Sequence, residues 1–93
     1  MASLFTPLKI GSVIIKNRFV HSATYEAMAS EAGEITDKLV KRYQVLAKGE
    51  VGLIIPGHMF VHPYGRAGQF QAGIHTDKMI PGLKRLVDVV NEE

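Results

Sequence analysis

Apolar runs and chain breakers alternate in a regular order along this sequence. Leu8-Lys9-Ile10 and Val13-Ile14-Ile15 are short β-prone runs separated by Gly11-Ser12. Gly11 can supply the positive φ of a type II′ turn, so the pattern predicts a β-hairpin. Residues 19–23, Phe-Val-His-Ser-Ala, are a further extended candidate, and they lead into a small, polar, Glu-rich stretch over 24–35 that reads as a loop. A helix is then predicted from Thr36 and Asp37. Thr36 serves as N-cap, Asp37 lies in the first turn, and Leu39, Val40, Tyr43, Leu46 and Ala47 share one face. Lys48 falls in its last turn and Gly49 ends it. Val51-Gly52-Leu53-Ile54-Ile55 is apolar throughout, as expected of a strand buried on both faces of a parallel sheet, and Pro56-Gly57 stops it. A long loop over 58–75, rich in glycine and aromatics, leads to a second amphipathic helix near 81–91. Leu83, Leu86, Val87 and Val90 are its inward residues, with Pro81 in the first turn.

Hairpin, strand, loop, helix, strand, loop, helix is the order of an α/β chain. Strands alternating with helices over short returns imply right-handed βα units and a parallel sheet. With 93 residues and 46% apolar side chains, one small unit spanning 1–93 is expected. Lys plus Arg number 11 and Asp plus Glu 9, with no run of five or six like charges, which argues against nucleic acid as the main partner despite a pI near 9.0. The chain lacks cysteine, so it offers no disulfide, thiolate zinc site or thiol nucleophile, and redox chemistry needs a borrowed cofactor. The opening Met1-Ala2-Ser3-Leu4-Phe5-Thr6-Pro7 does not read as a secretory signal. The apolar stretches fall far short of the roughly 20 residues needed to cross a bilayer. A cytoplasmic protein without membrane contact is the default expectation.

Few side chains stand out as chemistry. His58 and His62 have the spacing of a helical metal pair, but Pro56, Gly57 and Pro63 bracket them and Phe60 and Val61 favour extended backbone, so loop roles are expected and no metal site. Neither G-x-G-x-x-G nor a P-loop is present. Glu26, Glu31 and Glu34 fall after the first strand, where a barrel enzyme places functional groups, yet solvated loop charge is the favoured interpretation. Lys38, Lys41, Arg42 and Lys48 read as the solvated outer face of the first helix.

Function enters through a resemblance. Leu4-Phe5-Thr6-Pro7-Leu8-Lys9-Ile10-Gly11 and Ile15-Lys16-Asn17-Arg18-Phe19-Val20 resemble the opening of the Old Yellow Enzyme / NADH:flavin oxidoreductase family. There a hairpin closes the bottom of the barrel and a K-N-R motif enters the first strand. Thr36-Asp37, the strand run with Gly57, Gly65-Arg66 and Ile80-Pro81-Gly82-Leu83 continue the match in order over nearly the whole chain.

The resemblance implies the N-terminal portion of a TIM (β/α)8 barrel, a β-hairpin plus two βα units, with FMN held at the C-terminal strand ends. Ser22, Ala23 and Thr24 would pass under the flavin and contact it through backbone groups. Tyr25 would lie beside its reactive edge, where relatives often have Thr or Cys. Gly57 and His58 would bring a backbone amide to its pyrimidine edge, with His58 at a place usually held by a small residue. The parent would be a flavoprotein passing hydride from NADH or NADPH through FMN to a small-molecule acceptor such as an activated alkene. The family's substrate-anchoring and phosphate-binding groups belong to later strands, so the chain alone is expected to be inactive, to hold FMN poorly, and to form homo-oligomers or pair with the missing barrel portion. A competing expectation is a non-catalytic assembly module that oligomerises or complements a separate barrel chain.

Overall fold

A computed structural model describes residues 4–93; Met1-Ala2-Ser3, part of the stretch read for a secretory signal, lie outside the described residues. Strands β1 (Leu8–Ile10) and β2 (Val13–Ile15) pair antiparallel, with Leu8 opposite Ile15 and Ile10 opposite Val13. Gly11 has φ +59 while Ser12 has no positive φ, the combination a type II′ link requires.

Strands β3 (Val20–His21) and β4 (Leu53–Ile54) pair in parallel, Val20 opposite Leu53 and His21 opposite Ile54. The ladder is extended by Leu53 N–H donating to Phe19 O at 3.2 Å and Ile55 N–H donating to His21 O at 2.9 Å. Both strands are shorter than the runs 19–23 and 51–55 predicted. Among the described residues each has only the other to pair with, and beyond Ile54 the Gly57 amide turns to side-chain partners. Burial on both faces is also corrected: Ile54 packs on the helix core, whereas Ile55, alternating to the opposite face, is 44% exposed.

Helix α1 (Asp37–Lys48) starts where its cap predicts, Thr36 Oγ1 accepting from Leu39 N–H at 3.2 Å. Thr36 also donates its hydroxyl to Met28 O, pinning the preceding loop. Leu39, Val40, Tyr43 and Ala47 are buried, and Leu46 is half-buried. Gly49 caps the helix with an ordinary φ of −74, so the left-handed position is Glu50, at φ +68. Glu50 N–H returns to Ala47 O at 2.9 Å, and Asn17 Nδ2 donates to Glu50 O at 2.6 Å. These bonds offset the cost of a non-glycine residue in that conformation.

Helix α2 (Ile80–Asn91) follows a 3₁₀ turn over Asp77–Met79 and carries Pro81 in its first turn. Leu86 is buried against Leu39, Val40 and Tyr43, with Ile54, Val89 and Val90 packed around them. Val87, expected inward, is 54% exposed. One residue past Leu86 is a 100° rotation, which carries Val87 off the helix–helix seam and onto an open apolar groove shared with Tyr43, Ile54 and Pro56. Arg85 and Asp37 bridge the two helices at 2.5 Å. The result is an antiparallel hairpin, one parallel strand pair and two helices, an incomplete βα arrangement with no closed barrel among the described residues. A radius of gyration of 14.5 Å exceeds the about 12 Å of a compact unit this long.

Candidate functional site

Because β3 and β4 run parallel, their C-terminal ends lie side by side. Ser22, Ala23, Thr24 and Tyr25 leave β3 as an exposed stretch, and Gly57 and His58 leave β4 beside it. All six predicted site residues therefore fall at one end of the sheet. Thr24 Oγ1 donates to Ser22 O at 3.1 Å, a local bond that keeps the stretch tight.

Beneath this shelf lies a polar cluster that corrects the sequence-based expectation for Glu26. Its carboxylate is not a solvated loop charge. It accepts the Tyr43 hydroxyl hydrogen and the Gly57 N–H, the latter at 3.3 Å, and the Gly57 N–H is shared with Tyr43 Oη at 3.2 Å. A Cβ on residue 57 would collide with Thr24 O and the Glu26 carboxylate, so only glycine lets the end of β4 approach the end of β3 this closely. The His21 ring meets Tyr43 edge-on at 6.3 Å. Glu31 and Glu34 stay exposed, as expected of loop charges.

Tyr25 and His58 are brought together, their rings 5.2 Å apart at 36°. Tyr25 donates its hydroxyl to Gln69 O. His58 is gripped by Gln71, whose Nε2 lies 3.2 Å from His58 Nδ1 and 3.4 Å from its carbonyl oxygen. Gln71 is 4% exposed, and its Oε1 accepts the Ala67 N–H at 2.7 Å. His62 has a loop role too: its Nδ1 accepts Tyr64 N–H at 3.1 Å, capping a 3₁₀ turn over Pro63–Gly65. Arg66 ties this loop to the one after β3, donating to Glu31 O and, through Nε, to Gly68 O at 3.1 Å, with its guanidinium 5.4 Å from the Phe60 ring centre. Among the described residues no group of three or more potential metal ligands is gathered.

The solvated outer face of α1 also needs correction. Lys38, Lys41 and Lys48 are exposed, but Arg42 is half-buried, with Nε enclosed and unpaired among the described residues. Its stem lies beside Met28, Val45 and Leu46, an apolar margin that long cationic side chains cover well.

Gln71 and the Glu26–Tyr43 link were missed from sequence. A tyrosine on an apolar stripe does signal a buried hydroxyl in need of a partner, and Glu26 was the acid nearest a strand end. Nothing in the sequence marks Gln71.

The sequence profile of the NADH:flavin oxidoreductase / NADH oxidase family matches residues 3–93. A metal reductase of Desulforamulus reducens is 37% identical over 94 residues, which cover 100% of this chain and 14% of the relative. Among solved structures, a 2-naphthoyl-CoA reductase in complex with 2-naphthoyl-CoA superposes with a TM-score of 0.94 at 30% identity, covering 97% of this chain and 14% of that one. Old Yellow Enzyme from Pichia sp. AKU4542 superposes with a TM-score of 0.90 at 29% identity, over 97% of this chain and 23% of that one. The chain thus spans less than a quarter of the length of these relatives. Strand pairing, helix order and profile agree: the chain belongs to the NADH:flavin oxidoreductase / NADH oxidase family and forms part of its barrel.

Proposed function

We propose that this chain supplies part of the flavin-holding wall of an FMN-dependent NAD(P)H oxidoreductase, with Ser22, Ala23, Thr24, Tyr25, Gly57 and His58 forming the strand ends against which the cofactor lies. The observation that carries the proposal is the side-by-side placement of these six residues at the ends of two parallel strands, the end at which α/β barrels hold ligands. The residues fit a flat ring. Ser22, Ala23 and Thr24 are small and exposed, so backbone groups can come within hydrogen-bond distance without side-chain interference. The Gly57 N–H is turned inward to Glu26 and Tyr43, which leaves the His58 amide as the one to meet the ring edge. The Tyr25–His58 pair forms an aromatic flank.

When bound, FMN would supply hydride transfer between reduced nicotinamide and an electron-poor acceptor such as an activated alkene, chemistry that no side chain here performs. The chain's own contribution is positional. Glu26 and Tyr43 fix the end of β4 against α1, Gly57 permits the close approach to Thr24, and the residue 58–75 loop backs Tyr25 and His58. Most of a barrel lies outside the described residues, so the 93-residue chain is proposed to act within a complete barrel, with the remaining portion as its partner. Denaturing the complete protein should release about one FMN per barrel; a colourless protein that releases none would overturn the proposal.

A further inference from the structure

The orientation of Gln71 determines which nitrogen of His58 carries a hydrogen. Ala67 N–H donates to one amide atom of Gln71 at 2.7 Å, so that atom must be the oxygen; the reverse placement would set two donors against each other. Nε2 of Gln71 is then the atom 3.2 Å from His58 Nδ1. An amide nitrogen only donates, so Nδ1 of the neutral ring must be the acceptor, and the ring hydrogen belongs on Nε2. The two nitrogens of an imidazole point in nearly opposite directions. With Nδ1 turned towards the buried Gln71, Nε2–H is directed away from it, on a side chain that is itself exposed beside Tyr25.

We propose that Gln71 is a positioning residue that locks His58 as the Nε2–H tautomer, and that His58 thereby serves as a hydrogen-bond donor to an acceptor oxygen held over the strand ends. This rests on the flavin-wall function proposed above and adds to it a named donor. A carbonyl oxygen of the flavin ring or of the electron-poor acceptor would present the same chemistry. The tilted Tyr25 ring, 5.2 Å away, restricts rotation of the imidazole, and Tyr25 is in turn held by its hydroxyl on Gln69 O, so the donor is pre-oriented before a ligand arrives.

The test uses the complete FMN-loaded protein. Long-range proton–nitrogen correlations of the neutral imidazole should show His58 as Nε2–H in the native protein and as a tautomer mixture in Gln71→Leu. His58→Phe keeps a ring against Tyr25 but removes the donor, and His58→Gln restores an amide N–H near the place of Nε2. If the oxygen belongs to the flavin, His58→Phe should weaken FMN retention about tenfold and shift the flavin visible spectrum, and His58→Gln should recover most of both. If it belongs to the acceptor, the spectrum and FMN retention should stay unchanged while KM for the acceptor rises about tenfold, again recovered by His58→Gln. A yellow protein with an Nδ1–H resonance at His58 would overturn the lock, and His58→Phe matching the native protein in retention, spectrum and KM would overturn the donor. A colourless protein that still shows the Nε2–H signal would instead overturn the flavin assignment and the ligand named here, leaving the tautomer itself established.

Discussion

Tyr43, on the inward face of α1, gives its hydroxyl hydrogen to the carboxylate of Glu26, and the two oxygens converge on the N–H of Gly57 at the end of β4. One contact thus joins a helix, the loop after β3 and the strand end that carries His58. Tyr43→Phe leaves the ring packing intact and removes the hydroxyl. It should cost about 2 kcal/mol, the usual worth of a hydrogen bond to a charged group, seen as a lower denaturant midpoint in equilibrium unfolding of the complete protein. An unchanged midpoint would mean that water replaces the hydroxyl without loss.

Gly57→Ala is expected to act differently. The added methyl group meets the Thr24 carbonyl and the Glu26 carboxylate, so either β4 moves away from β3 or the Glu26–Tyr43 link breaks. Overpacking of this kind costs about 1–3 kcal/mol. Flavin retention should fall with stability, and thermal unfolding together with the FMN released on denaturation would show both. Retention at the native level would indicate that the strand ends need not lie this close.

Thr36→Ala removes the α1 N-cap and the hydroxyl bond to Met28 O. A loss of about 1 kcal/mol is expected, the typical value for an N-cap. Thr36→Ser should restore most of it in the same unfolding experiment.

On the outer face of α2, Lys84 and Asp88 pair at 2.7 Å, with both side chains largely exposed. The hydrogen bond and charge of Asp88 raise the Lys84 pKa above the ordinary lysine value. A raised folded-state pKa means that any stabilisation is fully present below the unfolded-state value and is lost as pH climbs through the folded one. Asp88→Asn should therefore differ from the native protein only slightly at neutral pH, less at high salt, and not at all at strongly alkaline pH. Unfolding midpoints across that range give the check.

The 93 residues alone should neither disperse as monomers nor retain FMN. Val20 at 50%, Ile55 at 44% and Val87 at 54% exposure leave apolar surface open beside strand edges that are unpaired among the described residues. Open edges and uncovered apolar groups favour pairing with another copy or with the rest of a barrel. Sedimentation should show oligomers, and micromolar chain should hold negligible flavin. A stable monomer with stoichiometric FMN would contradict this.

Local signals in the sequence were legible because local physics decides them. Gly11 fixes the hairpin turn, Thr36 and Asp37 start α1, and the spacing of Leu39, Val40 and Tyr43 selects its buried face. Parallel pairing of β3 with β4 followed from the order of elements. Less legible was whatever depends on residues far apart in the chain meeting in space. Glu26 looked like a loop charge because its partners, Tyr43 and Gly57, lie 17 and 31 positions away. Gln71 gave no signal because its role depends on how Ala67 and His58 are arranged around it. Val87 was misplaced because an apolar residue on the edge of a helical stripe can face either the seam or an open groove. Of the site itself, the sequence carried the positions of the two strand ends through family resemblance, while the Tyr25–His58 pairing emerged only in three dimensions.

The most direct test of the flavin-wall assignment is amide hydrogen exchange of the complete protein with and without bound FMN, followed by mass spectrometry at single-residue resolution. Protection on binding should concentrate at residues 22–25 and at His58, with the Gly57 amide already protected in both states by Glu26 and Tyr43. Unchanged exchange at residues 22–25 and 58, in a protein that demonstrably binds FMN, would place the cofactor elsewhere and contradict the account.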